Sequence, residues 1–272
     1  AVGNAGLDQT ISVDPARTGG TANPTNPEAD FTYATSTLSF SAADGDGTSF
    51  QKDATLAIHE DIVDDDAETI FLGIQNLVDG SSGQASIGGA STHTVTINDN
   101  DTTGGVAEFT PATAGVYTMV LNGANLQILQ GVTVLTQAEL ADIGSLVFNG
   151  TGGDDTFEVD FSGGNPVPVG GITVHGAGQT TGDVMDLINV PSSFTTHTYN
   201  YTNANDGNVV LNDGSNNFTI NYTGLEPLTN DGTAADVIFN LPGTTDSTIT
   251  LSDLGGGLAR LASTVPTFEL TD

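Results

Sequence analysis

Short runs of alternating apolar and polar residues recur along the whole chain, and each is closed by glycine, asparagine or an Asp-Gly pair. A period of two turns one strand face toward a core and the other toward solvent. Gly, Asn and Asp supply the tight turns between such strands. The clearest runs are 10–13, 38–40, 54–58, 69–74, 93–97, 116–121, 126–129 and 157–161, followed by 171–175, 186–190, 198–201, 208–211, 218–222, 237–241 and 247–251. Asp44-Gly45, Asp46-Gly47, Asp206-Gly207, Asp213-Gly214 and Asp231-Gly232 punctuate them. The expected fold class is therefore all-β. Residues 136–143 alone read as a short helix, because Thr136 and Glu139 have the spacing of a capping box.

Charge sets the next constraint. Arg17, Lys52 and Arg260 are the only Lys and Arg residues, against 34 Asp and Glu, for a formal charge of −31. Self-repulsion of that size opposes compaction unless salt or bound cations offset it. It also excludes nucleic acid as a partner, since phosphate contacts need Lys and Arg, and it disfavours anionic membranes. Apolar residues make up 37% of the chain and fall in regular alternation, so the acidity does not imply disorder. No cysteine is present, so disulfides play no part. No apolar run approaches the ~20 residues that span a bilayer, and membrane insertion is not expected. Residue 1 is not Met and no export signal opens the chain, which reads as a processed or excised terminus.

An acidic loop, Asn98-Asp-Asn-Asp101, runs into Thr102-Thr-Gly-Gly105. That small-residue stretch is the natural boundary between a first domain, 1–103, and a second, 104–272. Within the first, Glu60, Asp61, Asp64, Asp65, Asp66 and Glu68 crowd a turn between two strands, and Asp99 and Asp101 follow the last strand. Ca²⁺ takes roughly six to eight hard oxygens from bendable loops. Two carboxylate-rich loops at one end of a sandwich would suit it, whereas a solvated acidic turn would need no ion.

Residues 8–101 resemble the Calx-beta domain, a calcium-binding β-sandwich. The resemblance rests on Asp30-Phe-Thr-Tyr33, Thr37-Leu-Ser-Phe40, Lys52-Asp-Ala-Thr-Leu-Ala-Ile-His-Glu-Asp61, Val63-Asp-Asp-Asp-Ala-Glu-Thr69, Ile70-Phe-Leu-Gly-Ile74 and Thr94-Val-Thr-Ile-Asn-Asp-Asn-Asp101. It implies that Glu60, Asp61, Asp64 or Asp65, Glu68, Asp99 and Asp101 bind Ca²⁺. The hairpin is one residue longer than the family's, so the choice among Asp64, Asp65 and Asp66 stays open. The family's opening strands have no counterpart upstream of Asp8, and its Asp before Gly-Thr-Ala is replaced at Gly19-Gly20-Thr21-Ala22. An incomplete sandwich of this kind exposes apolar edges, and strands from another chain could complete it. The alternating stretch 264–271 is the candidate donor.

The second part repeats a Gly/Asp turn followed by a short apolar strand. Examples are Gly150-Thr-Gly-Gly-Asp-Asp-Thr-Phe-Glu-Val159, Gly182-Asp-Val-Met-Asp-Leu-Ile188, Asp213-Gly-Ser-Asn-Asn-Phe-Thr-Ile220 and Asp231-Gly-Thr-Ala-Ala-Asp-Val-Ile-Phe239. That rhythm suits a β-solenoid, with a second β-sandwich as the alternative. The region resembles repeat regions of giant secreted proteins of planctomycetes and related marine bacteria, through Phe161-Ser-Gly-Gly-Asn-Pro166 and Ile220-Asn-Tyr-Thr-Gly-Leu-Glu-Pro227. The first unit also resembles a glycine-rich calcium nonapeptide, which would make Asp154 and Asp155 ligands, but it occurs once and a plain Gly-Asp turn explains it.

Catalysis is not expected. His59, His93, His175 and His197 are scattered, and no nucleophile elbow, zinc-binding helix or phosphate loop occurs. Asn149, Asn200, Asn217 and Asn221 each fit the glycosylation pattern, as chance alone provides in an Asn- and Thr-rich chain. The function these features imply is a calcium-stabilised extracellular structural protein, the self-associating subunit of a fibre, sheath or surface layer joined by strand exchange. The alternative is a stalk or ligand-binding segment of a large calcium-dependent bacterial adhesin, with a surface or matrix polysaccharide as its partner.

Overall fold

The computed structural model describes residues 9–25, 29–41, 44, 51–65, 67–80, 83, 85–178, 182–243, 248–263 and 270–272. Among them the chain is all-β, without an α-helix. It divides into two compact units. The first comprises Ala1–Thr25, Ala29–His59 and Asp65–Asp99, and the second includes Glu60–Asp64 and Asn100–Asp272.

The first unit holds β1 (Ile11–Gly19), β2 (Phe31–Tyr33), β3 (Leu38–Phe40), β4 (Leu56–Ile58), β5 (Glu68–Asp79) and β6 (Thr92–Ile97). An antiparallel sheet runs β3-β1-β5-β6, and β2 pairs with β4 in a second one. Ala22, Phe31 and Ile70 are its buried apolar residues, flanked by Tyr33, Leu56, Leu72, Val95 and Ile97. The Arg17 guanidinium lies 5.5 Å from the Phe31 ring centre and donates to the carbonyls of Gly20 and Ala22. This core is small, and Phe71, Ile74 and Val78 of β5 remain exposed.

The second unit begins with β7 (Val106–Phe109), β8 (Val116–Asn122), β9 (Asn125–Gln130), β10 (Thr133–Glu139), β11 (Ser145–Asn149), β12 (Thr156–Asp160), β13 (Ile172–His175) and β14 (Val184–Ile188). It continues through β15 (Thr196–Tyr201), β16 (Gly207–Asn212), β17 (Asn217–Thr223), β18 (Leu228–Asn230), β19 (Asp236–Asn240), β20 (Ile249–Gly255) and β21 (Leu258–Ser263). Four successive strand pairs, β7/β8, β11/β12, β13/β14 and β17/β18, each place one strand in either of two sheets. Their strands stack in parallel, coil upon coil. Antiparallel hairpins, β9–β10 and β15–β16, extend the sheets at their ends.

Parallel register turns the period of two into rows. Ala107, Leu146, Ile172 and Ile220 align across one sheet, as do Phe109, Phe148, Val174 and Tyr222. Tyr117, Phe157, Met185 and Leu228 align across the other. These rows form a single core, in which the Phe148 ring lies 5.2 Å from Phe109, 5.5 Å from Tyr117 and 5.0 Å from Phe157. Where coils meet, backbone approaches backbone. A Cβ on Gly163 would lie 1.8 Å from the Leu121 carbonyl oxygen, so only glycine fits there.

Carboxylates tie one coil to the next. The Gly115 N–H donates to Asp155 Oδ1 at 2.8 Å, and the Asp155 N–H donates to Asp183 Oδ1 at 2.7 Å. Asp231 accepts the N–H groups of Asn189 and Val190 at 2.8 and 3.0 Å. Asp155 and Asp183 are buried, and burial raises the Asp183 pKa, with the charges of Asp155 and Asp154 adding to it against the bond from the Asp155 N–H.

One expectation needs correction. Residues 136–139 belong to strand β10, and only Leu140–Asp142 makes a 3₁₀ turn, so the capping-box reading fails. Pairing with β9 overrides the local signal: Thr136 sits opposite Ile128, is fully buried, and accepts the Ile62 N–H at 3.2 Å. The proposed donor stretch 264–271 lies outside the described residues from 264 to 269. Its end is paired within its own unit: Thr271 bridges Leu228 and Leu261, and the Asn230 N–H donates to the Asp272 carbonyl. Leu270 and Thr271 are therefore not free for another chain.

Candidate metal site

The second unit contains an acidic cleft of about 330 Å³. Three pieces of backbone form most of it, and Ala107 of β7 and Asn125 of β9 complete the lining. Residues 62–64 form one wall, with Ile62 buried in the core as an anchor. The loop 101–103 forms the second, and the end of β10 with its 3₁₀ turn forms the third. Asp64, Asp101, Glu139 and Asp142 bring carboxylates to it, and Asn125 and Gln137 bring side-chain amides. None of the described lining residues carries a positive charge.

Hydrogen bonds fix these walls. The Thr103 N–H donates to Asp64 Oδ2 at 2.8 Å. That bond, with a further one from the Thr103 hydroxyl, holds the Asp64 carboxyl below the usual carboxylate pKa. Asp101 is 7% exposed and accepts the Glu108 N–H at 2.5 Å, which fastens the loop to β7. The Gly104 N–H donates to the Asp142 carbonyl, so the loop and the turn hold each other. The Gln127 amide donates to Gln137 at 2.6 Å.

The sequence-derived acids are spread over several settings. Asp64 and Asp101 both line the cleft. Asp61 accepts the N–H of Val63 in its own loop at 2.9 Å. Glu60 is exposed and accepts from Asn100 at 3.2 Å, and Asn100 also donates to Glu108 at 3.3 Å. Asp65, Glu68 and Asp99 belong to the first unit, where a carboxylate oxygen of Asp65 lies within 4.8 Å of one of Asp30. Asp66 lies outside the described residues. Asp155 is a buried coil tie, and Asp154 Oδ1 lies 3.5 Å from the Gly182 nitrogen.

Sequence reasoning missed Asp30, Glu139 and Asp142. Asp30 was visible only as the start of a strand. Its carboxylate is 5% exposed and receives the Asn23 N–H. Glu139 and Asp142 were hidden by the helical reading of their segment. At the end of a strand and in the turn that follows it, they line the same cleft.

Calcium coordination chemistry fits this donor set. Ca²⁺ accepts mixed carboxylate, amide, carbonyl and water oxygens in flexible geometry, and about 330 Å³ holds an ion with several of its waters. Asp64, Asp101, Glu139 and Asp142 line the cleft, but no three of their carboxylates lie within 4.8 Å of one another, so an ion there would be held partly through water, with charge neutralisation as its chemical contribution. No helix among the described residues is long and apolar enough to cross a membrane. Comparison with family models, curated proteins and solved structures finds no match to this chain.

Proposed function

We propose that this chain is a non-catalytic, calcium-stabilised segment of an extracellular structural protein, of the kind that builds a fibre, sheath or surface layer. The observation that carries this reading is the cleft lined by Asp64, Asp101, Glu139 and Asp142 without a cationic side chain among its described residues. Four like charges around one cavity raise the free energy of the folded state, and a divalent ion removes that cost while pinning three separate backbone segments together. The Calx-beta resemblance of residues 8–101 and the formal charge of −31 point the same way. Stacked strands with few long loops leave little for catalysis and much for mechanical rigidity.

Calcium added to EDTA-treated protein is expected to raise the melting temperature. At about a hundred times the dissociation constant the gain is ~2.7 kcal/mol, or roughly 5–10 °C for a chain of this size. The double variant Asp101→Asn, Asp142→Asn should lose most of that response and melt in EDTA at or above the parent's temperature, since two of the repelling charges are gone. A melting temperature that ignores both EDTA and calcium would overturn the proposal. Retention of the full calcium shift in the double variant would move the ion elsewhere.

A further inference from the structure

The two sheets of the second unit present different outer faces. On β12 and β14 the side chains that alternate with the buried rows include Glu158, Asp160 and Asp186. The other sheet runs β19-β15-β16-β17-β13-β11-β7. On β15, β16, β17 and β13 its outward side chains are all Thr or Asn, apart from Val210 and His175. None is Asp, Glu, Lys or Arg, in a chain that carries 34 acids. Tyr199, Tyr201 and Tyr222 of these strands are buried on the inward side, so no aromatic ring reaches the outer face.

Strand register sets the outward side chains in rows. Asn240, Asn200, Asn208, Asn221 and Thr173 stand side by side across five strands, at a strand spacing of about 4.8 Å. Asn240 Nδ2 donates to Asn200 Oδ1 at 2.7 Å, and Asn200 Nδ2 donates to Asn208 Oδ1 at 2.7 Å. In a parallel row Asn212 Nδ2 donates to Asn217 Oδ1 at 2.7 Å. A primary amide has two N–H donors and two acceptor lone pairs. Asn200 uses one of each in the ladder, which fixes its orientation and leaves one of each for a ligand.

We propose that this face binds a neutral, hydroxyl-rich polysaccharide chain. The chemistry of the face selects that occupant. Nucleic acid and anionic membranes need Lys and Arg, and a metal ion needs carboxylates. A protein interface, one with a second copy included, needs aromatic or large aliphatic anchors, and Val210 is the only apolar side chain here. Sugar hydroxyls both donate and accept, as the amides and threonine hydroxyls of the rows do. A neutral polymer meets no like charge on this face, whereas an anionic one is repelled by the chain's formal charge of −31. The amide ladder is ordered before any ligand arrives, so less freedom is lost on binding. Without a ring to stack on, each sugar is held weakly, and affinity comes from many sugars on one chain.

This inference stands apart from the calcium reading, so its test runs in EDTA. The full chain is run in native gels cast with hydroxyethyl cellulose, galactomannan or laminarin, all neutral, and with anionic alginate as the control. The expected result is retardation by at least one neutral polymer and none by alginate. Thr198→Asp and Asn221→Asp each put a charge on the face and should weaken the retardation about tenfold or more, with melting temperatures near the parent's. Thr198→Val keeps the strand's shape, removes one hydroxyl, and should weaken it too, which covers the case in which a charge unfolds the sheet. Glu158→Gln, on the outer face of the other sheet, should be retarded as the parent is. A parent chain that runs unretarded through all three neutral polymers would overturn the proposal. So would folded variants held back as strongly as the parent, or equal retardation by alginate.

Discussion

At the scale of single residues, His197 is the most exposed to a change of conditions. It is 2% accessible on β15. Asn230 Nδ2 lies 3.3 Å from its Nδ1 and donates to the Tyr199 hydroxyl at 2.9 Å, while Asn230 Oδ1 accepts the Gly232 N–H. Its Nε2 is buried without a hydrogen-bond partner. Burial lowers its pKa and pushes that of Tyr199 up to about 12. The imidazole is therefore neutral in the fold. The unfolded chain takes up the proton near pH ~6.5, so stability from this group is complete above that pH and is lost as pH falls below it. Urea midpoints from pH 8 to 5 should fall less in His197→Gln than in the parent, the parent's extra slope being at most ~1.4 kcal/mol per pH unit. The scattering of four histidines in sequence hid this difference. His59 and His175 meet Thr32 and Thr223 across strands as surface residues do, whereas Thr196-His-Thr-Tyr-Asn-Tyr201 alternates with His197 on the inward side. Phe148 is a second sensitive point. Its ring touches three others at full burial, and Phe148→Ala should cost about 3–5 kcal/mol by thermal or urea denaturation.

At the scale of elements, the coils depend on their corner carboxylates as well as on their rows. Asp231→Ala would leave the N–H groups of Asn189 and Val190 without their acceptor, one of them on a residue at φ 56°. The loss should be about 2–4 kcal/mol, with Asp231→Asn recovering part of it through its remaining oxygen. Strand positions were legible in sequence because alternation marks them directly: every alternating run named above falls on or overlaps a strand. Strands β2, β7, β10, β11, β18 and β21 are not among those runs. Val106-Ala-Glu-Phe109 and Leu228-Thr-Asn230 are too short for a period to register, and Leu258-Ala-Arg-Leu-Ala-Ser263 carries small residues that favour no state. Pairing was less legible still. The hairpins β9–β10 and β15–β16 interrupt the coil repeat at unequal intervals, so parallel neighbours sit at irregular distances in sequence. The same blindness to pairing turned Thr136 into a helix cap and concealed half of the acidic cleft.

At the scale of the whole molecule, the dominant quantity is a formal charge of −31 carried by 272 residues. Two ion pairs are formed among the described residues, Lys52 with Asp44 and Arg260 with Asp272. Nearly all the negative charge is therefore uncompensated from within. In EDTA the melting temperature should climb steadily from 0.05 to ~1 M NaCl as screening shortens its range, and should climb less once calcium is bound. Differential scanning calorimetry across that series separates general screening from site binding. Acidity and its loop placement were plain from composition. Their partition between two compact units was not, because residues 60–64 leave the sequence neighbourhood of the first unit and belong with the second.

That excursion has a practical outcome. Ile62 fills space in the core of a unit whose main stretch begins only at Asn100. A recombinant piece cut at the boundary the sequence suggests, residues 104–272, would carry a hole in its interior and a Thr136 hydroxyl without its Ile62 partner. The chain is sewn through with one stitch, and scissors placed at the seam would cut the thread.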